Sequence, residues 1–288
     1  MKVEIQTVQL IFNRTAGGYS STSIAALRAG LEGRGARVLL SECGPGIDVA
    51  ISGEASHICA VGGDGTVRHV ASAVARCGRS VAMSIYPAGT VNLIHRELAS
   101  PTNADQYAMR ALCQEPVRLH HAAEINSTIF LACASVGPDS HAVAALSPAL
   151  KRRIGRFAYL AAFLGTLVRW PRHEITLACD GREIVCEAFY VAKGRYFAGP
   201  WSFAPNASVK KPELHVIALR SASRIAYTRF IWAVLRGKPV EALPGVTAIA
   251  CTLVTARSSS PLPVQADGDI VASLPAKLQL WSSPIAFR

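Results

Sequence analysis

Two short stretches of this 288-residue chain pair glycine with side chains suited to phosphate chemistry. Val61-Gly62-Gly63-Asp64-Gly65-Thr66-Val67 leaves most of its backbone bare and sets one carboxylate among glycines. Tyr86-Pro87-Ala88-Gly89-Thr90-Val91-Asn92 is a second glycine turn that ends in a hydroxyl and an amide. Glycine lets backbone N–H groups approach an anion closely, and a helix beginning there adds its partial positive charge. Asp64 would repel a bare phosphate, so its presence asks for a Mg²⁺ ion shared with the phosphates. Phosphoryl transfer demands this kind of equipment: held phosphates, neutralised charge and a base near the attacking hydroxyl. Gly62, Gly63, Gly65 and Thr66 are therefore candidates to hold phosphates. Asn13, Gly89, Thr90 and Asn92 are candidates for the nucleotide pocket, and Asp64 for the metal-linked carboxylate. Neither a G-x-x-x-x-G-K-[ST] loop nor a G-x-G-x-x-G fingerprint occurs.

The elements that must position these turns are legible as a pattern. His57 to Val61 and Val81 to Ile85 read as buried strands. Val67, Val70, Ala71 and Val74 fall on one helical face, as do Val91, Ile94 and Leu98, with Thr90 as the expected cap of the second helix. Each turn thus sits where a strand becomes a helix. Either turn alone is also what an ordinary α/β domain shows. Two on successive βα units, one bearing an aspartate, favour a ligand. Val8 to Ile11 and Val38 to Leu40 add strands, and Ser23 to Leu31 and Ala104 to Cys113 add helices, which together predict a parallel sheet covered by helices. From about Val117 the period changes. Strands are expected over 117–125, 128–134, 174–178, 184–191, 214–219, 246–254, 264–266 and 277–280, with Asp180-Gly181 as a hairpin turn, giving an antiparallel, β-rich second domain. The expected division is 1–120, with a tail of about 272–288 that can return to it, and 121–271.

Composition narrows the classes. Half the residues are hydrophobic, enough for a substantial core, and the net charge of +11 points to an anionic partner. No secretory signal and no span long enough for a bilayer is visible, the longest apolar candidate being Tyr159 to Val168. The eight cysteines are scattered, lack a C-x-x-C pair and read as reduced core residues of a cytosolic protein. Two basic, aromatic, amphipathic segments interrupt the β region, Lys151 to Trp170 and Arg224 to Arg236. In the second, Tyr227, Phe230, Ile231, Val234 and Leu235 form the apolar side. Each either lies on an anionic membrane or packs that side on its own protein. No basic cluster lies on a recognisable nucleic-acid module, so nucleic acid is not an expected partner.

Gly62-Gly63-Asp64-Gly65-Thr66 and Pro87-Ala88-Gly89-Thr90-Val91-Asn92 closely resemble the signature turns of the diacylglycerol kinase catalytic-domain family, which includes soluble bacterial lipid kinases and sphingosine and ceramide kinases and is distantly related to NAD kinases. The resemblance continues in order along the chain: Phe12-Asn13-Arg14-Thr15-Ala16-Gly17-Gly18, Ala134-Ser135-Val136-Gly137-Pro138-Asp139, Phe203-Ala204-Pro205-Asn206-Ala207-Ser208 and Val264-Gln265-Ala266-Asp267-Gly268-Asp269. It implies an N-terminal α/β domain of that type with a C-terminal antiparallel β-sandwich. It also implies ATP and Mg²⁺ as cofactors, and a cytoplasmic enzyme attached peripherally to the inner face of the membrane. The substrate would be the hydroxyl of a diacylglycerol, ceramide or sphingoid base at an anionic surface. A homodimer is left open. By this resemblance Asp269 takes the place of the general base, one methylene shorter than the family's glutamate, and Asp267 joins Asp64 as a metal candidate. Read locally, Asp267-Gly268 is also a plain hairpin turn. The chain departs from the family at Arg14, at Leu93, where an aspartate is frequent, and at Lys211-Pro212 and His215, where bacterial members carry acidic residues associated with a structural metal. Two other functions compete: NAD kinase, which shares the Gly-Gly-Asp-Gly-Thr turn, and a non-catalytic lipid- or nucleotide-binding protein.

Overall fold

The computed structural model describes residues 5–113, 116–145 and 172–288, which fall into two compact units, Met1–His120 with Ser283–Arg288, and His121–Ser282. The basic segment expected over Lys151 to Trp170 lies outside the described residues.

The first unit is a six-stranded sheet of β1 (Thr7–Phe12), β2 (Arg37–Glu42), β3 (His57–Gly62), β4 (Ala82–Pro87), β5 (Arg118–His120) and, from the end of the chain, β18 (Ile285–Phe287). Its order is β2-β1-β3-β4-β18-β5, parallel throughout except for the β18–β5 pair. β1 and β3 are buried at every position, which is why they read as continuous apolar runs rather than alternating ones. Helices α1 (Ser21–Glu32), α2 (Asp64–Arg76), α3 (Leu93–Leu98) and α4 (Ala104–Ala111) cover the sheet. α1 starts at Ser20, whose hydroxyl accepts the Ser23 amide, and stops at Gly33. α4 starts at Asn103, whose side chain accepts the amides of Asp105 and Gln106. Leu27 and Leu31 of α1 and Tyr107 and Ala108 of α4 close a core over Val8, Leu10, Cys59 and Val61. The strand order reverses direction between β1 and β3, so the carboxyl ends of these neighbours flank a topological switch point, where open α/β sheets bind ligands.

The second unit consists of two six-stranded antiparallel sheets that share one core. Its strands are β6 (Ala123–Ile125), β7 (Thr128–Phe130), β8 (Cys133–Val136), β9 (Ile175–Cys179), β10 (Arg182–Cys186), β11 (Ala188–Ala192), β12 (Leu214–Leu219), β13 (Val246–Cys251), β14 (Leu253–Ser258), β15 (Pro263–Ala266), β16 (Asp269–Ser273) and β17 (Ala276–Leu280), with helices α5 (Pro138–Ala145) and α6 (Arg224–Leu235). One sheet runs β10-β9-β14-β17-β6-β7, the other β13-β12-β11-β8-β15-β16. Because β17 pairs with β14 and β6, only residues 283–288 rejoin the first unit, a shorter return than the 272–288 expected.

Four of the expected strands are each two strands. Residues 117–125 divide into β5 and β6, which belong to different units. Residues 128–134, 184–191 and 246–254 divide into β7 and β8, β10 and β11, and β13 and β14, and in each pair the chain passes from one sheet to the other. The hydrophobic pattern runs straight through these corners because both halves face the same core, so periodicity alone gives no sign of the break.

The eight cysteine thiols are free, and six of them are buried. No helix among the described residues is long and apolar enough to cross a membrane.

Candidate functional site

The two glycine turns follow adjacent parallel strands, β3 and β4, and they touch backbone to backbone. A Cβ placed on Gly89 would fall inside the contact radius of the Gly63 Cα, and one on Gly63 would stand 3.1 Å from the Gly89 Cα. At Gly62 a Cβ would stand 2.5 Å from the side chain of Thr66. Three of the glycines are thus required by close approach. The Ala88 amide donates to the Gly62 carbonyl at 2.9 Å, continuing the ladder into the turns.

α2 opens at Gly63 with no side chain capping its first amides. A glycine at this position has no side chain to cap the helix, and a helix start of this kind suits a phosphate. Asp64 is the first residue of this helix, and its carboxylate accepts the Ile94 amide at 3.3 Å, which ties the start of α2 to α3. Thr90 is exposed and precedes α3 without capping it. The cap position is Asn92, held in the left-handed region at φ 54°, which asparagine tolerates better than threonine. Its amide clamps the turn on itself: Oδ1 accepts the Gly89 N–H at 3.0 Å and Nδ2 donates to the Gly89 carbonyl at 2.8 Å. His95 binds the Ser100 carbonyl at 2.7 Å, and burial lowers its pKa.

The loop after β1 completes this edge. The Asn13 side chain donates to the Thr66 hydroxyl at 3.3 Å and accepts from the amide and the hydroxyl of Thr15. Farther along, the Gly18 N–H donates to the Ala88 carbonyl at 2.9 Å, an approach that leaves no room for a side chain at Gly18. Arg14 is exposed and pairs with Glu42. Asn13, Gly62, Gly63, Asp64, Gly65, Thr66, Gly89 and Asn92 are thus brought to one edge of the first sheet.

Asp267 and Asp269 belong to the second unit. Asp267 is buried at φ 48°, and its carboxylate accepts the amides of Leu131, Ala132 and Cys133 at 2.8, 2.9 and 3.1 Å. Those amides form the corner between β7 and β8. Expected as a metal ligand, Asp267 has both oxygens engaged in holding this corner. Asp269 opens β16 and is half-buried. Among the described residues no group of three His, Cys, Asp or Glu side chains is placed to hold a metal ion.

A polar network unforeseen from the sequence supports that turn. The Gln265 side chain accepts the Gly268 amide and donates to the Ser135 hydroxyl, each at 2.9 Å. Ser135 in turn donates to Asp139, which also receives the Tyr190 hydroxyl at 3.2 Å. Burial pushes the Asp139 carboxyl above its ordinary range, although the Ser135 and Tyr190 hydrogen bonds favour its ionised form. A second unforeseen residue is Lys193, which is fully buried. Its ammonium donates to the carbonyls of Ser208 and Lys211 at 2.9 and 2.8 Å, fixing the loop that carries Lys211-Pro212. Both arrangements join residues distant in sequence: Ser135, Asp139, Ser208 and Gln265 each lie in a recognisable stretch, but nothing local pairs those stretches.

Comparison with known proteins follows the same division. The diacylglycerol kinase catalytic domain matches residues 7–125, and the YegS C-terminal NAD kinase beta sandwich-like domain matches residues 132–287. A Pseudomonas aeruginosa PAO1 protein named "Probable lipid kinase YegS-like" is 33% identical over 181 residues, which is 60% of this chain and 57% of that protein. A Bacillus subtilis 168 protein named "Diacylglycerol kinase" is 24% identical over 186 residues, 64% of this chain and 61% of its own length. The match thus spans less than two thirds of either relative. A diacylglycerol kinase crystal structure from Bacillus anthracis Sterne superposes with a TM-score of 0.73 at 20% identity, covering 99% of this chain and 98% of that one, a likeness of fold.

Proposed function

The chain belongs to the family that joins a diacylglycerol kinase catalytic domain to a YegS-type β-sandwich, and from that premise we propose that it is an ATP-dependent lipid kinase acting on the hydroxyl of a membrane lipid at an anionic, cytoplasmic surface. The observation that carries this reading is the backbone contact between Gly63 and Gly89, which brings two bare turns together into one edge beside the start of α2.

In this reading the amides of Gly63, Gly65 and Thr66 receive the nucleotide phosphates, whose charge the helix start favours. Asn13 fixes the Thr66 hydroxyl from the neighbouring strand end. Asn92 acts on its own turn rather than on the nucleotide, and so keeps the Gly89 backbone aimed. One carboxylate, Asp64, fits a Mg²⁺ ion that is held mostly by water and the nucleotide's own phosphates, and the ion would neutralise charge on the transferring group. The family resemblance gives Asp269, on the second unit, the role of general base for the lipid hydroxyl. Phosphorylated lipid and nucleoside diphosphate are the products.

The test is transfer of labelled phosphate from ATP to a panel of lipid alcohols, with NAD as the competing acceptor. Label on a lipid supports the reading, and label on NAD alone overturns it in favour of NAD kinase. Asp64→Ala lowers transfer at least about 100-fold while the protein still folds and melts cooperatively. Retained activity removes Asp64 from the mechanism.

A further inference from the structure

Helix α6 is apolar on both sides. Tyr227, Phe230, Ala233 and Val234 form its buried side, with the Phe230 ring stacked at 5.1 Å on Tyr190. This is most of the apolar face that the sequence offered to a membrane, and the core takes it. The opposite side carries Ile225, Trp232 and Leu235, which are 68%, 56% and 44% exposed. At 3.6 residues per turn these three fall within an arc of about 80°, and Arg229 and Arg236 border them on one side. Both arginines are exposed, and so is Lys238 just beyond the helix. No acidic residue occurs between 224 and 238. The Arg236 guanidinium lies over the Trp232 ring, 4.4 Å from its centroid.

We propose that this outward face of α6, the Ile225–Trp232–Leu235 stripe with its Arg229 and Arg236 border, docks on an anionic phospholipid bilayer. The proposal rests on the lipid-kinase reading for its purpose, but on the helix itself for its chemistry. Tryptophan favours the headgroup level of a membrane, where its ring is apolar and its N–H is wet. Arginines beside it extend their stems along the apolar boundary and present their charge to phosphates. An uncharged protein groove would leave that border uncompensated, and a second copy of this chain meeting face to face would set arginine against arginine. A surface with negative charge above and hydrocarbon below satisfies both halves of the stripe.

The experiment is co-sedimentation of the full chain, without nucleotide, with vesicles of phosphatidylglycerol and phosphatidylcholine, and with vesicles of phosphatidylcholine alone. Trp232→Ser combined with Leu235→Ser lowers partitioning onto the anionic vesicles by ~10-fold or more, because two exposed side chains no longer enter the interface. Arg229→Glu with Arg236→Glu removes the preference for anionic over neutral vesicles, and raised salt does the same to the parent protein. Thermal melts matching the parent's exclude unfolding as the cause. Parent-like partitioning of both double variants overturns the proposal. So does a change of oligomeric state in size-exclusion chromatography, which assigns the face to self-association. Transfer of phosphate to a short-chain, water-dispersed lipid alcohol separates the two readings. If the parent transfers to no lipid while the variants still lose vesicle binding, docking stands and the kinase reading falls. If transfer occurs and vesicle binding ignores the variants, docking alone falls.

Discussion

Two hairpins of the second unit turn on the same dipeptide. Asp180-Gly181 joins β9 to β10, and Asp267-Gly268 joins β15 to β16. Their φ angles nearly match, 45° and 87° in the first and 48° and 88° in the second, the left-handed pair that Asp-Gly favours in two-residue hairpins. Their carboxylates also do the same work. Asp180 accepts the amides of Thr252 and Leu253 at the β13–β14 corner, and Asp267 accepts three amides at the β7–β8 corner. The difference lies around them. Asp180 is exposed and followed by Arg182, whereas Asp267 is buried, its glycine amide is tied through Gln265 and Ser135 to Asp139, and Asp269 follows. The dipeptide is therefore a device for stapling a sheet-switching corner. In the proposed mechanism the chemistry belongs to Asp269, the residue after the second of these turns, and not to the dipeptide.

That distinction is sharpest in catalysis. Asp269→Asn lowers phosphoryl transfer to lipid by about 100-fold or more while the melting temperature holds, as measured with labelled ATP. Arg182→Ala, at the matching place of the other hairpin, leaves the rate unchanged. Equal effects would erase the contrast. Next in size is stability. Asp267→Ala strands three buried amides and destabilises the fold by about 3 kcal/mol, as read from denaturant unfolding. Asp180→Ala exposes its amides to water, which replaces the lost acceptor, so its loss stays under about 1 kcal/mol. The smallest effect is one of pH. Hydrogen bonds from Thr252, foremost its amide, and from the Leu253 amide outweigh burial and hold the Asp180 carboxyl below its ordinary value of 3.8. The ionised form is thus favoured on folding. Its contribution is complete above that value and is lost as pH falls through the lower folded one. Melting curves of the parent and of Asp180→Asn converge as the pH drops below about 4, and curves that stay parallel contradict the assignment.

Much of this was legible in the sequence wherever the signal was local. The turns at Gly62–Thr66 and Gly89–Asn92 announce themselves because two bare turns fall on successive βα units, one of them carrying an aspartate. Their direct contact follows from β3 and β4 being neighbours, which alternating βα units favour but do not dictate. The cap of α3 was misplaced at Thr90 because a left-handed asparagine cap carries no helical periodicity. The outward stripe of α6 was hidden by a better apolar face on the same helix. The Asp139–Ser135–Gln265 chain and the buried Lys193 join residues far apart in sequence, so no window along the chain could contain them.

The sheet-switching corners carry one more consequence. Because β7 and β8, β10 and β11, β13 and β14, and β16 and β17 each lie on opposite sheets, short peptide bridges stitch the two layers together like seams. Outside the β6–β7, β9–β10 and β15–β16 hairpins, strands find their partners across longer stretches of chain, so neither layer can be completed before the other has started. Non-local pairing of this kind slows folding, and a nick at one seam would loosen two layers at once.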